Sequence, residues 1–336
     1  MKDINTVQRK NLSHQQKERI AEKQATRKRE FASSDDQLSD DELDKLKIGQ
    51  VIVKHGQNII VNSEERIGVK CFSRKNLGNV VCGDEVLWRD IEGDRGIIEA
   101  IFDRQTILSR PDKNGKEKPI VANITQLIIV LAHLPKPTGY LLDQYLISAE
   151  KIGINPIICL NKSDLMEKDE GKRFKGKFNH YLDLGYKIVQ VSAKQRTNIS
   201  LLKNFLQDNI SIFVGQSGVG KSSIINCLLP DEMIEEGEIS YSTGLGKHTT
   251  SFTKLYKLES GGEIIDSPGV RSFELSKMKK SDLELGYPEI RNLVGKCQFS
   301  NCTHNQEPNC AIQTAVEKGA IHPDRIASFL HLSSEL

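Results

Sequence analysis

The chain has 336 residues, a length that predicts two or three domains. Its formal net charge is only +2 at pH 7, so no overall positive field indicates nucleic-acid binding, and any basic surface must be local. No apolar run reaches transmembrane length, and the first residues lack the apolar segment of a secretory signal, which favours a cytoplasmic protein that does not bind membranes. The seven cysteines are odd in number and unevenly spaced, which indicates a reducing compartment rather than a disulfide framework.

Residues 1–46 are predicted to form a mobile charged arm. The first thirty residues contain nine Lys or Arg against four Asp or Glu, and residues 33–44 then contain six acidic residues and no basic one. Such a segment cannot bury enough apolar surface to offset the entropy lost on ordering. Two interpretations stay open: a solvated tail without a role, and a basic arm that becomes ordered on RNA.

Residues 47–108 are predicted to form a small β-barrel of the OB-fold type. They contain five short β-rich runs, among them IGQVIVKHG and DEVLWRD, separated by Gly, Asn and Asp turns. OB-folds often bind RNA, but a fold alone does not establish a function. The aromatic residues Phe72, Trp88 and Phe102 fit a hydrophobic core and a stacking platform equally well.

Residues 109–276 are predicted to form an α/β domain around a doubly wound parallel sheet. From about residue 120, buried strands such as ITQLIIVLA alternate with helices such as YLLDQYLISAEKIG. A later helix begins near Asn198, a candidate N-cap residue. This alternation is typical of nucleotide-binding domains, whose functional loops follow the strands.

A phosphate-binding loop is predicted after the strand SIFV. The stretch matches G-x-x-x-x-G-K-S, in which glycines let backbone N–H groups face phosphate oxygens, the lysine reaches the β- and γ-phosphates and the serine ligates Mg²⁺. The predicted residues are Gly215, Gln216, Ser217, Gly218, Val219, Gly220, Lys221, Ser222 and Ser223.

Two turns upstream of this loop indicate that the base is guanine. Asn161-Lys162-Ser163-Asp164 has the N-K-x-D form, and its carboxylate can accept from guanine N1–H and the 2-amino group, donors that adenine lacks. Asn161 is predicted to meet the N7 side of the base, and the stem of Lys162 to cover the ring. Ser192-Ala193-Lys194 follows another strand and is predicted to offer a backbone N–H to guanine O6.

Two further segments supply the elements that would respond to the γ-phosphate. Asp266 begins the D-x-P-G segment and is predicted to hold the Mg²⁺ shell through water, while the N–H of Gly269 meets the γ-phosphate. Thr249 and Thr250, in the G-K-H-T-T loop, are candidates for Mg²⁺ coordination. Val270 stands where many GTPases carry a water-orienting glutamine, so His248 is the predicted catalytic residue; a contact of His248 with RNA or solvent is the alternative.

Residues 277–336 are predicted to form a helical zinc-binding domain. Cys297, Cys302, His304 and Cys310 place three thiols and one imidazole within fourteen residues, which suits one closed, structural Zn²⁺ site. Unliganded thiols and an iron–sulfur cluster are the alternatives, and the histidine disfavours the second. The other four cysteines lie in apolar runs and are predicted to be core residues.

The guanine-nucleotide elements occur in the order N-K-x-D, S-A-K, phosphate loop, threonine loop, D-x-P-G, which is a circular permutation of the Ras-like order. This order, the preceding barrel and the cysteine cluster resemble the RsgA (YjeQ/EngC) family of circularly permuted GTPases over about residues 47–330. The resemblance implies a GTP hydrolase that requires Mg²⁺, and it supports His248 as the catalytic residue and the cysteine cluster as a zinc site. It further implies binding of the small ribosomal subunit and its rRNA, a role in late assembly of that subunit, and hydrolysis stimulated by it. We expect a monomer.

The sequence also bears on three alternative functional classes. Val270 is consistent with a nucleotide-gated rRNA-binding module in which hydrolysis is incidental. Asp164 disfavours a P-loop ATPase or kinase, and the absence of lipidation signals disfavours a membrane-trafficking GTPase.

Overall fold

The computed structural model describes residues 46–74, 77–91, 93–112, 114–137, 139–229, 253–267 and 279–336. The chain divides into two compact units, Met1–Arg104 and Gln105–Leu336. Residues 1–45 of the predicted arm lie outside the described ranges.

The first unit contains a closed five-stranded barrel, which confirms the predicted OB-like architecture. Its strands pair in the order β1-β2-β3-β5-β4, and β1 also pairs with β4, so the sheet closes on itself. The contact between β3 and β5 is parallel and the others are antiparallel. The strands are β1 (Leu46–His55), β2 (Asn58–Asn62), β3 (Val69–Ser73), β4 (Glu85–Ile91) and β5 (Arg95–Ile101).

Packing inside the barrel distinguishes a core aromatic residue from a surface one. Trp88 is fully buried among residues of all five strands, whereas Phe72 is 42% exposed and has the Arg95 guanidinium 5.8 Å from its ring centroid. A Cβ at Gly96 would lie 2.6 Å from the Cys71 sulfur and from the Trp88 ring, so the strand needs glycine there to admit the indole. Trp88 is therefore a core residue, and Phe72 is a surface residue.

The second unit contains a six-stranded sheet with helices around it. The strand order is β10-β9-β8-β11-β13-β12, and every neighbouring pair is parallel except β12 with β13. All seven residues of β8 are buried, as expected for a strand covered on both faces. The described strands of the second unit include two, β6 and β7, that lie outside this sheet. They are β6 (Ile107–Pro111), β7 (Glu117–Ala122), β8 (Gln126–Ala132), β9 (Asn155–Asn161), β10 (Lys187–Gln190), β11 (Ile210–Val214), β12 (Thr253–Lys257) and β13 (Glu263–Asp266).

Nine α-helices are described in the second unit, and the described residues contain no helix long and apolar enough to cross a membrane. They are α1 (Gly139–Ile152), α2 (Lys168–Gly176), α3 (Asn179–Asp183), α4 (Ile199–Leu206), α5 (Lys221–Leu228), α6 (Lys280–Gly286), α7 (Pro288–Arg291), α8 (Ala311–Glu317) and α9 (Pro323–Ser334).

Two local features differ from the sequence predictions. Strands β6 and β7 form a separate hairpin that the patterns did not reveal, and Asp112 closes its turn by accepting from the N–H groups of Asn114 and Lys116. Asn198 precedes α4 as predicted but does not cap it, because its side-chain amide donates to the carbonyl of Gln190 instead.

The C-terminal helices pack on α1 through a small core and a buried ion network. Ile147 of α1 lies among apolar residues of α6 to α9, and a Cβ at Gly286 would collide with it. Arg325 of α9 is 1% exposed, forms ion pairs with Asp143 of α1 and Glu289 of α7, and lies over the Tyr287 ring. Burial opposes the charge of Arg325, but the two carboxylates outweigh it and raise the pKa of the guanidinium.

Candidate nucleotide site and metal centre

The predicted phosphate loop connects β11 to α5 with the geometry that its glycines were expected to supply. Gly215 has φ 136° and Gly220, which precedes the helix, has φ 96°. A Cβ at Gly215 would lie 2.2 Å from the Val130 carbonyl, and one at Gly220 would lie 2.3 Å from the amide nitrogen of Asn161. Larger residues would therefore force the loop away from β8 and β9.

Lys221 begins α5 and folds back over the loop. Its ammonium donates to the carbonyls of Gly215 (2.6 Å) and Gln216 (2.8 Å), and the residue is only 7% exposed. Ser222 and Ser223 follow it in the first turn and are exposed. The loop thus brings one buried ammonium, two hydroxyls and the positive end of a helix to the same place, a combination that suits phosphate oxygens and a hydrated cation.

Asn161 joins the three loops that the sequence predicted to act together. It ends β9, is 2% exposed, and donates from its amide nitrogen to the Val219 carbonyl of the phosphate loop (2.9 Å). Its amide oxygen accepts from the N–H of Ala193 in the S-A-K turn (3.2 Å). Turns that precede the phosphate loop in the chain therefore contact it in space.

Asp164 is held by the S-A-K turn. The Ser192 hydroxyl donates to its carboxylate at 2.5 Å and in turn accepts from the N–H of Gln195 (3.0 Å), while the N–H of Ser163 donates to the Val191 carbonyl (3.2 Å). These bonds fix the direction of the carboxylate without neutralising it. A fixed, partly exposed carboxylate is the group that recognises paired N–H donors on a base edge.

Lys162 adopts a left-handed conformation, φ 63°, and its ammonium donates to the carbonyl of Leu134 (3.0 Å). The neighbouring Pro135 lies 4.0 Å from the position of a Cβ on Gly218. The segment after β8 therefore contacts both the N-K-x-D turn and the phosphate loop, a role that sequence reasoning missed because residues 133–137 match no motif.

The remaining predicted residues are only partly described. Asp266 ends β13, which lies parallel to β11, and the next residue, Ser267, is buried with its hydroxyl 3.0 Å from that of Thr253. His248, Thr249, Thr250, Gly269 and Val270 lie outside the described residues. Lys194 follows Ala193 at the exposed end of its turn.

The four predicted zinc ligands come together before α8. Cys297, Cys302, His304 and Cys310 offer ligand atoms that all lie within 4.8 Å of one another. The Cys297 sulfur is 3.8 Å from that of Cys310 and 3.5 Å from Nδ1 of His304. Tetrahedral zinc with Zn–S bonds of about 2.3 Å separates sulfur atoms by about 3.8 Å, so this donor set fits the ion.

A carboxylate that sequence reasoning missed stabilises the loop between these ligands. Glu307 accepts from the N–H and hydroxyl of Thr303 (both 2.6 Å) and from the N–H groups of Asn305 and Gln306. These hydrogen bonds, led by that of the Thr303 hydroxyl, lower the pKa of Glu307 to about 2. All seven cysteines lie in described ranges and none forms a disulfide, which leaves the clustered thiols available to a metal.

Comparisons with known proteins agree with this architecture. A family profile described as RsgA GTPase matches residues 101–276. The Small ribosomal subunit biogenesis GTPase RsgA of Pseudomonas aeruginosa (strain LESB58) is 40% identical over 320 residues, which cover 95% of this chain and 94% of the relative. The chain belongs to the RsgA GTPase family.

Two solved structures support the RsgA fold. YjeQ from Thermotoga maritima superposes with a TM-score of 0.70 at 30% identity, covering 87% of this chain and 98% of that one. YloQ, described as a circularly permuted GTPase, gives a TM-score of 0.67 at 28% identity over 86% of this chain and 94% of that one. The predictions of a permuted GTPase domain and of a GTP hydrolase are thereby confirmed.

In this RsgA-family chain, Cys227 makes a contact that no sequence motif predicts. The Cys227 thiol of α5 donates to the carbonyl of Ala193 (3.1 Å), so the helix after the phosphate loop also supports the S-A-K turn. The thiols of Cys71, Cys82 and Cys159 are fully buried, as predicted. Cys227 is only partly buried and packs against the core, so the prediction of a core residue was wrong for it.

Proposed function

We propose that the chain is a GTPase that binds the small ribosomal subunit and acts in its late maturation, hydrolysing GTP to GDP and phosphate. The names of its curated relatives support the ribosomal part of this proposal. The observation that carries the nucleotide part is the pair of hydrogen bonds of Asn161, because they join the guanine-recognition turns to the phosphate loop in one site.

In this proposal, each loop has a separate task. The residues 215–223 bind the phosphates, with Lys221 leaving the loop carbonyls for the β- and γ-phosphates. Asp164 accepts from guanine N1–H and the 2-amino group, supported by Ser192. The backbone of Ala193 and Lys194 faces guanine O6, Asn161 faces the N7 side, and the stem of Lys162 covers the base. The bound Mg²⁺ neutralises phosphate charge, with Ser222, Asp266 and a threonine of the pair Thr249 and Thr250 as its protein partners.

Hydrolysis in this proposal depends on His248. Because Val270 cannot orient water, a neutral imidazole in the threonine loop is the group that positions the attacking water and accepts its proton. The N–H of Gly269 responds to the γ-phosphate. Turnover is slow until the subunit positions His248.

The metal centre in this proposal is structural. Cys297, Cys302, His304 and Cys310 hold one Zn²⁺ with four protein donors, which leaves no position for a reacting water. The closed donor set and the distances between its atoms support this assignment.

The ribosomal contacts in this proposal come from several parts of the chain. The barrel of residues 47–108, the helical zinc domain of residues 277–336 and the basic arm of residues 1–46 contact rRNA, while residues 109–276 bind and hydrolyse the nucleotide. The protein acts as a cytoplasmic monomer.

The test is the rate of GTP hydrolysis with small subunits, with large subunits and with neither. We expect stimulation by small subunits alone, loss of nucleotide binding in Lys221→Ala, and a loss of stimulated turnover of about 10² or more in His248→Ala with GTP affinity kept. Stimulation by both subunits would contradict the ribosomal assignment. Binding of small subunits without stimulation would instead support a nucleotide-gated rRNA-binding module.

A further inference from the structure

A second group of metal-ligating side chains lies away from the nucleotide loops and the cysteine centre. His180 of α3, and His322 and Asp324 at the start of α9, offer ligand atoms that all lie within 4.8 Å of one another. His180 is more than 140 positions away from His322 and Asp324 in the chain. His180 and Asp324 also line a cavity of about 470 Å³ between α1, α3 and α9, which gives an ion a route to the cluster.

His180 has the chemistry of an unused ligand. Its Nε2 is shielded from solvent and makes no hydrogen bond to any residue that the structure describes. An unpaired nitrogen in such a place destabilises the folded state, so a partner that binds there recovers that cost. Burial, followed by the nearby His322, lowers the pKa of His180 to about 4.

His322 can turn to meet the same ion. Its ring stacks on that of His180 with centroids 4.0 Å apart and an angle of 7° between the planes. A metal lies in the plane of each imidazole that binds it, so one ring must rotate before both can coordinate one ion. The side chain of His322 is 44% exposed, and its ring is held by a 3.2 Å hydrogen bond from the N–H of Asp324. Rotation therefore breaks one long hydrogen bond and one stack.

We propose that His180, His322 and Asp324 form a second divalent-metal site that links α3 to the start of α9. Two imidazoles and one carboxylate form a nitrogen and oxygen donor set that selects Zn²⁺ and similar late first-row ions over Mg²⁺. Three protein ligands leave one position to water, which makes the site weaker and more readily exchanged than the closed cysteine centre. The bound ion fixes the C-terminal helix to the segment between β9 and β10.

The local charges set the expected strength of the site. Asp324 is the one carboxylate among the three ligands, and Lys136 and Lys177 line the same cavity. The positive charge of Arg325 beside the site is already balanced by its ion pairs with Asp143 and Glu289. We therefore expect a dissociation constant in the micromolar range rather than the far tighter binding of a thiolate centre.

The experiment titrates the zinc-loaded full chain with Zn²⁺ by calorimetry and with Co²⁺ by visible absorption. We expect one further equivalent of Zn²⁺, and cobalt bands of nitrogen and oxygen ligation without the thiolate charge-transfer bands of the cysteine centre. His322→Asn keeps an N-cap acceptor for α9 and Asp324→Asn keeps the side-chain shape, so both variants are expected to fold. Each is expected to weaken the second equivalent by at least about tenfold.

The matched control is His331→Asn, which changes an exposed histidine of the same helix that lies 3.4 Å from Glu335. It should leave the second equivalent unchanged. A rise in melting temperature with added Zn²⁺ should appear in the wild type and the control and be lost in the two ligand variants. The absence of a second equivalent, an equal loss in the control, or binding that survives both ligand variants would each overturn the proposal.

Discussion

At the scale of single residues, Asn161 and Asp164 belong to one turn but differ in burial and in hydrogen bonding. Asn161 is buried, and its amide joins two other loops, whereas Asp164 is partly exposed and is aimed by one hydroxyl. Asn161 therefore connects the loops, and in the proposed function Asp164 presents its carboxylate to the base. Substitutions at the two positions are expected to have different consequences.

Asp164→Asn should change which base is bound. The new amide has only one acceptor oxygen, so it cannot accept from guanine N1–H and the 2-amino group together, but its NH₂ can donate to the 2-oxo group of xanthine. GTP affinity should therefore fall by about 10² or more while xanthosine triphosphate gains affinity. Competition between labelled GTP and each nucleotide measures the change. Glu167→Gln, which alters an exposed carboxylate in the same segment, is the control. Unchanged GTP affinity in Asp164→Asn would mean that the base binds elsewhere.

Asn161→Ala should weaken all guanine nucleotides together. The substitution leaves the Val219 carbonyl and the Ala193 N–H without their partner, at a cost of about 1–3 kcal/mol for each buried group. Because both loops serve GDP and GTP, the two affinities should fall by similar factors, about tenfold or more. Equilibrium binding of both nucleotides provides the measurement. A loss confined to one nucleotide would contradict a structural role for this amide.

At the scale of elements, the C-terminal helices are short and depend on two sources of stability. Helices α6 to α8 have four to seven residues each, too few to be stable alone. Their core continues into α1 through Ile147, and the cysteine cluster closes the long loop before α8. Metal binding and the buried ion network should therefore both affect the stability of this region.

Cys302→Ser should remove the metal and unfold the region around α8. The side chain is buried at the centre of the cluster, and the binding energy of a structural zinc ion is folding energy for so small a module. Metal content by mass spectrometry should fall from about one zinc per chain to near zero, with loss of helical signal. Cys227→Ser, outside the cluster, should keep the metal. Full retention of zinc by Cys302→Ser would refute the ligand assignment.

Arg325→Met should destabilise the second unit strongly. Removal of the guanidinium leaves Asp143 and Glu289 buried without a counter-charge, which costs about 3–5 kcal/mol. Arg291→Met is the control, because this exposed arginine lies 3.7 Å from Glu150 and such surface pairs contribute about 0–1 kcal/mol. Urea unfolding measures both changes. Equal effects of the two substitutions would show that the buried network adds nothing to stability.

At the scale of the whole molecule, charge is distributed unevenly although the net charge is small. The first thirty residues contain nine Lys or Arg, and the described turns that we propose to recognise guanine lie in the second unit. Neutralising rRNA phosphates would release counterions, which gives this segment a measurable signature.

Deletion of residues 1–40 should weaken small-subunit binding and flatten its dependence on salt. The slope of log affinity against log salt should decrease, because fewer phosphates are neutralised, while basal GTP hydrolysis stays unchanged. Binding at several salt concentrations, with a non-hydrolysable GTP analogue and with GDP, gives the slopes for both nucleotide states. An unchanged slope after deletion would make the arm an inert tail.

Short sequence patterns were enough to predict the chemistry of the proposed nucleotide and metal sites. Phosphate loops, guanine-recognition turns and clustered cysteines are local patterns, since each needs particular residue types at close spacing. The order of those patterns was enough to indicate the permutation, and the five short β-rich runs separated by turn residues were enough to indicate the barrel.

The contacts that hold these parts together are apparent only in the folded structure. Arg325 and Asp143 are 182 positions apart, and Asn161 and Val219 are 58 apart, so neither pair has a signature in any short window. The β-rich runs alone could not separate Trp88, fully buried, from Phe72, 42% exposed, because both residues lie in such runs. Asn198 illustrates the same limit. Local preference predicted that its side chain would cap a helix, but its amide donates to the Gln190 carbonyl instead. Long-range contacts are chosen by packing in three dimensions, and local sequence records only the residue types that make them possible.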